Sequence, residues 1–183
     1  MKRLKSFPLL TIFFLIAGLF MNNLAVAQHE EKDDKIVADA KVAKADFIKA
    51  DGLMQSLFDN SYGYVIFPNV GKGAIGIGGA AGNGAVFQKG TLIGMADMHQ
   101  VSVGFQWGGQ AYREVIFFEH EADLNRFKEN KIEFAGQASA VAVTKGAAAN
   151  VKYKEGVMIF SQEKAGLMYE ASVGGQKFKF RHL

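Results

Sequence analysis

Cysteine is absent from this 183-residue chain, proline occurs twice and tryptophan once. Without a thiol there is no disulfide, no thiolate metal site and no cysteine to carry a lipid anchor. Proline is missing from Glu30 to Phe58, which leaves that stretch free to run as a helix. A usable excess of positive charge is missing too. Lys2, Arg3 and Lys5 account for the whole surplus of 21 cations over 18 anions. These three precede an apolar run from Leu9 to Phe20 and a small-x-small site at Ala25-Val26-Ala27, the layout of a secretory signal peptide. The run is shorter than the roughly 20 residues that a membrane-spanning helix needs. We therefore expect a signal peptide over 1–27 and an exported mature chain from Gln28, periplasmic or secreted and not membrane-spanning. With its charge balanced, that chain lacks the cation excess that nucleic-acid binding requires. Its length suits one core, hence a single domain over 28–183.

Catalytic constellations are also lacking. His29, His99, His120 and His182 fall on separate segments. The densest group of ligand-type side chains, Glu119-His120-Glu121-x-Asp123, has no histidine pair at i, i+4 and reads as the acidic start of a helix. No serine sits in a GxSxG elbow. The expectation is a non-enzyme with no catalytic residue, no cofactor and no metal.

What is present begins with a seam. Ile36, Ala40, Ala43, Phe47, Ala50, Met54 and Leu57 alternate in steps of four and three, placing all seven on one stripe of a helix. Gly52 weakens or ends its last turn, and Asp59-Asn60-Ser61 reads as the following loop. The segment carries more acids than lysines and three alanines make the stripe thin, which suits docking on the protein's own sheet better than a membrane-surface helix.

Beyond Asn60 the period changes to two. Tyr64-Val65-Ile66-Phe67 is a short strand stopped by Pro68 and Asn69. Gly71, Gly73 and Gly76 spell GxGxxG, yet the glycine-laden residues that follow cannot supply the helix a dinucleotide needs. Lys72 is followed by Gly73 instead of Ser or Thr, which excludes a P-loop. Asn83-Gly84, between apolar runs, predicts a type I′ hairpin turn. The glycines become strand residues that mark a bulge, a bend or close approach of another backbone.

Val101 to Gly108 alternates large with small or amide side chains, Glu114 to Glu119 is an apolar strand, Glu121 to Asn130 a short helix, and Val141 to Thr144 a possible strand in an ambiguous stretch. Gly63-Tyr64-Val65-Ile66-Phe67 is echoed by Gly156-Val157-Met158-Ile159-Phe160, with Lys72 and Lys164 in equivalent following connectors. The fold class expected is α+β: a mainly antiparallel glycine-rich sheet or barrel, an N-terminal amphipathic helix, and a short helix near 121–130.

Three ordered blocks, YGYVIFPNVGKGAIGIGG, GFQWGGQAYREVIFFE and GLMYEASVGGQKF, resemble the SYLF domain in an exported bacterial form. The resemblance runs from about Ile36 to Phe180 and implies a module that binds acidic lipid or a membrane surface. Relatives in eukaryotes engage actin, an unsuitable partner for an exported chain, and the N-terminal helix here is not basic. A protein-interaction or envelope-scaffold role is the alternative. On the lipid reading Lys72 and Lys164 are candidate headgroup contacts, and Phe47 is either the helix's largest plug on the sheet or a lipid contact.

Overall fold

The computed structural model describes residues 9–72, 79–101, 111–132, 139–164, 170–172 and 175–183. The chain divides into two units, Met1–Lys35 and Ile36–Leu183, of which the second holds all the strands. The first helix, α1, is continuous over Leu9–Ala50 and so runs through the expected cleavage site. Side chains of residues 1–29 lie outside the described residues.

Helix α1 stops at Ala50 because Asp51 turns its carboxylate onto the chain ahead, accepting from Leu53 N–H at 3.1 Å, and Gly52 follows. A second helix, α2 (Met54–Asn60), then begins, so the expected loop at Asp59-Asn60 is helical. Asn60 is kept in that helix by donating its side-chain amide to Ser56 O at 2.8 Å. The seam nevertheless survives the break. Ala40, Ala43, Phe47 and Met54 are buried in one apolar cluster, with Ile36, Ala50 and Leu57 packed against it.

Eight strands follow among the described residues: β1 (Gly63–Lys72), β2 (Gly79–Gln88), β3 (Thr91–Val101), β4 (Ala111–Phe118), β5 (Ser139–Ala142), β6 (Val157–Glu163), β7 (Glu170–Ser172) and β8 (Gln176–His182). They form one sheet in the order β7-β5-β6-β4-β1-β2-β3-β8, antiparallel except for the β5–β6 pair. The third helix, α3 (Glu121–Lys128), opens on a capping box of His120 and Asp123 and carries acids in its first turn and bases in its last, as its dipole favours.

The sheet is strongly curled. Strand β8 lies four positions from β4, about 19 Å in a flat sheet, yet Gln176 on β8 donates to Glu114 on β4 at 3.0 Å. The rings of Phe67 on β1 and Phe178 on β8 lie 5.8 Å apart. The curl does not close into a barrel: β7 and β8 are the two edges. Inside it, Val65, Phe67, Ile116, Phe118, Ile159 and Phe178 pack with Leu124 and Phe127 of α3. Outside it, Tyr64, Ile66, Phe87, Val115, Phe117 and Phe160 pack with the seam of α1 and α2. Central strands buried on both faces explain their uninterrupted apolar runs.

Three expectations are corrected. Asn83-Gly84 is not a turn; Asn83 is mid-strand, paired with Asn69 on one side and Asp97 on the other. Gly84 is required for close approach, since a Cβ there would meet Ile66 O and the Phe67 ring at 2.7 Å. The tight β2–β3 turn is Lys89-Gly90, whose φ of 48° and 80° are the positive pair that a type I′ turn demands. Pro68 does not end β1, because the strand slips register there against both neighbours and a bulge spares proline a ladder hydrogen bond. The echoed segments do flank the same strand, β4, but Val65 opposes Ile116 and Ile159 in one row. The echo is therefore off by one, and its aligned residues Val65 and Met158 face opposite clusters. The expected strand from Val101 lies outside the described residues after Val101 itself, as does the glycine segment 73–78.

Candidate functional site

Alternation along the strands decides what the outer face of the curl offers. Ala85 and Phe87 of β2 and Met95 of β3 belong to the outer cluster, so Ala81, Asn83, Asp97 and His99 point the same way further along. On β8 Phe178 packs inside, leaving Lys177, Lys179 and Arg181 outside. Register then assembles two rows: Gly71, Ala81, His99 and Lys177; and Asn69, Asn83, Asp97 and Lys179. Gly71, Asn69, His99, Lys177 and Lys179 are exposed, and the remainder are half-buried. This is a shelf of low relief, with small and amide side chains in the middle and lysines along β8.

At the opposite side the shelf meets a cleft of about 150 Å³ lined by Asp39, Val42, Ala43, Pro68, Asn69, Arg113 and Lys164. Each wall has a local cause. The bulge at Pro68 turns Asn69 outward, where it accepts from Lys164 Nζ and donates to Asp39 at 3.2 Å. Arg113 of β4 faces outward between the inward-facing Tyr112 and Glu114, pairs with Asp46 of α1, and donates to Gln162 of β6 at 3.3 Å. Asp39 and Asp46 are seven apart and so lie on one flank of α1, which fastens the helix to the sheet at Asn69 and at Arg113.

Inside the curl a second polar group is buried. Tyr112, Glu114, Ser161, Gln100 and Gln176 come from four strands. Burial, and then the neighbouring Glu114, push the Tyr112 hydroxyl well above the usual phenol range. Among the described residues no group of three or more metal-ligating side chains could hold a metal ion. His120 and Asp123 serve the helix cap, and Asp123 also pairs with Arg126 at 3.3 Å.

Of the three residues singled out from sequence, Lys164 lies in the cleft. Lys72 ends β1 opposite Ala80 beside the shelf, and its side chain lies outside the described residues. Phe47 is fully buried in the seam between α1 and the sheet. Sequence reading missed Arg113, Asp39, Asp46, Lys177 and Lys179. The last two carried a legible signal, since Gln176-Lys177-Phe178-Lys179-Phe180-Arg181 alternates apolar and basic residues at the period of a strand.

Residues 99–182, which include β4 to β8, match the family model Ysc84, described as Las17-binding protein actin regulator. The chain is also 29% identical over 123 residues to Beta cell expansion factor A of Aeromonas veronii, an alignment covering 67% of this chain and 47% of that protein. The chain thus spans about half the length of the curated relative it matches. Residues 99–182 are thus similar to the SYLF family, known as a lipid-binding and actin-regulator domain family.

Proposed function

We propose that the chain is a non-enzymatic module of the bacterial cell envelope that binds acidic membrane surfaces at the level of the headgroups. The observation that carries this reading is the contrast between the two sides of the outer face. Where the sheet is apolar, α1 and α2 cover it; where it is uncovered, it is flat and polar, with Lys164 on one side and Lys177 and Lys179 on the other. A bilayer surface is flat, and each lysine near an anionic one contributes about 1 kcal/mol. Large apolar side chains are exposed among the described residues only at Val42, Leu53, Val141 and Leu183, too scattered for insertion into lipid. Binding of this kind is electrostatic and weakens with salt. Lys164 belongs to the same basic fringe. The family resemblance supports the lipid class, and no helix among the described residues is long and apolar enough to cross a membrane, which leaves β-strand spans unaddressed.

Vesicle flotation tests the reading. Vesicles containing phosphatidylglycerol should float the mature protein, and phosphatidylcholine vesicles should not. Replacing Lys177 and Lys179 by Gln, or Lys72 and Lys164 by Gln, should weaken flotation at low salt. Equal flotation with both vesicle types would overturn it. The scaffold alternative rests on Val42 and Leu53, 61% and 48% exposed on the helical side, as anchors for a protein partner.

A further inference from the structure

We infer that the cleft between α1 and the sheet is a binding site for a phosphate-type oxyanion, and that the anion competes there with carboxylates of α1 itself. The inference goes beyond membrane association and does not depend on it, because soluble phosphate alone can test it.

Two cations from different strands converge on the cleft, Arg113 from β4 and Lys164 just after β6. The carboxylate that meets Arg113 comes from α1: Asp46 pairs with its guanidinium. The partner of Lys164 is Asn69, whose amide is in turn engaged by Asp39 of α1. Neither cation is therefore locked to another strand by a charged pair. The Arg113 guanidinium is also incompletely used. Its Nε is buried and has no hydrogen-bond partner, and its side chain is only 15% exposed. An arginine fork is suited to two parallel bonds to one oxyanion, and a phosphate has oxygens left over for a nearby ammonium, which a single carboxylate lacks.

The cleft has room. Its roughly 150 Å³ equals about five waters at some 30 Å³ each. Val42, Ala43 and Pro68 make up the rest of the wall. Occupation would draw Arg113 away from Asp46 of α1, and Lys164 away from Asn69, the residue that holds Asp39. The effect should concentrate between Asp39 and Asp46, where the seam consists of Ala40 and Ala43, while Phe47 still anchors the following turn. The device thus links an anion in the cleft to the looseness of the preceding helical turns.

The test is titration of the mature protein with inorganic phosphate against chloride at matched ionic strength, followed by calorimetry and by amide hydrogen exchange. Saturable phosphate binding is expected, weakened about tenfold by Lys164→Gln or Arg113→Gln and tightened about threefold by Asp46→Asn. Exchange over 39–46 should rise with phosphate and stay unchanged with chloride. Lys164 is exposed, so its substitution keeps the test valid should the Arg113 variant fold poorly. Phosphatidylglycerol vesicles form the second arm. Binding of inorganic phosphate without vesicles assigns the site to free phosphate, and vesicle binding that Lys164→Gln removes, with no phosphate binding, assigns it to a lipid headgroup. Binding of neither, or binding indifferent to both cation substitutions, overturns the inference.

Discussion

Ala148 donates its backbone N–H to Asp51 Oδ2 at 2.9 Å across 97 positions of sequence, while Oδ1 of the same carboxylate takes Leu53 N–H at 3.1 Å. One buried side chain therefore sets the break between α1 and α2 and ties it to the segment after β5.

That arrangement makes Asp51 an acid-sensitive tie. Burial by itself raises a carboxyl, but the N–H donors of Ala148, Leu53 and Gly146 outweigh it and hold Asp51 below its ordinary value of 3.8. A depressed folded value means stability that is present above the unfolded value and lost as pH falls through the folded one. Asp51→Ala should cost about 2 kcal/mol at neutral pH by stranding buried N–H groups and a charge-assisted bond. Urea unfolding at pH 7 and near pH 2 checks this: the gap between variant and parent should narrow on acidification, and an equal gap would show that charge plays no part.

Phe47→Ala should destabilise the protein by about 3–5 kcal/mol, the range for removing a buried ring. A melting temperature within a degree of the parent would mean that α1 does not dock through this side chain in solution.

The glycine run gives a paired prediction. Gly84→Ala must push a Cβ into the Ile66 carbonyl and the Phe67 ring and should cost about 1–3 kcal/mol, whereas Gly71→Ala meets nothing within 4 Å and should be neutral or slightly stabilising. Lys89→Asn, which places Asn-Gly where the type I′ turn actually is, should raise stability by some tenths of a kcal/mol, since asparagine tolerates the left-handed φ of 48°. Thermal melts of the three variants rank them.

We further expect export to leave Gln28 as the first residue, motivated by Ala25-Val26-Ala27. Mass spectrometry of protein from the envelope fraction reads this directly, and a chain retaining Met1 there would rule out cleavage.

Much of the architecture was legible wherever one side chain sees one partner. The spacing from Ile36 to Leu57 announced the helical face that packs on the sheet, and Leu124 with Phe127 announced the buried side of α3. Legibility failed where two chain segments decide together. Asn83-Gly84 has the composition of a turn, yet the bulge at Pro68, some fifteen residues earlier, needs a glycine opposite Phe67. Strand β3 reads Thr-Leu-Ile-Gly-Met-Ala-Asp-Met, with leucine, methionine and alanine that favour helix, and only its place between β2 and β8 makes it a strand. The cleft was hidden for the same reason: its four polar residues lie far apart in sequence, and while the echo marked Lys164, nothing local marks Asp39, Asn69 or Arg113.

Strand β8 pairs with β3, a strand made much earlier in synthesis. Strands β1, β2 and β3 can form as a local meander, but Gln176 and Phe178 must arrive before the inner cluster is sealed at that edge. Non-local pairing of this kind is slow, because loop closure comes before its reward. A chain not yet extended to β8 would thus remain open at that edge of the sheet.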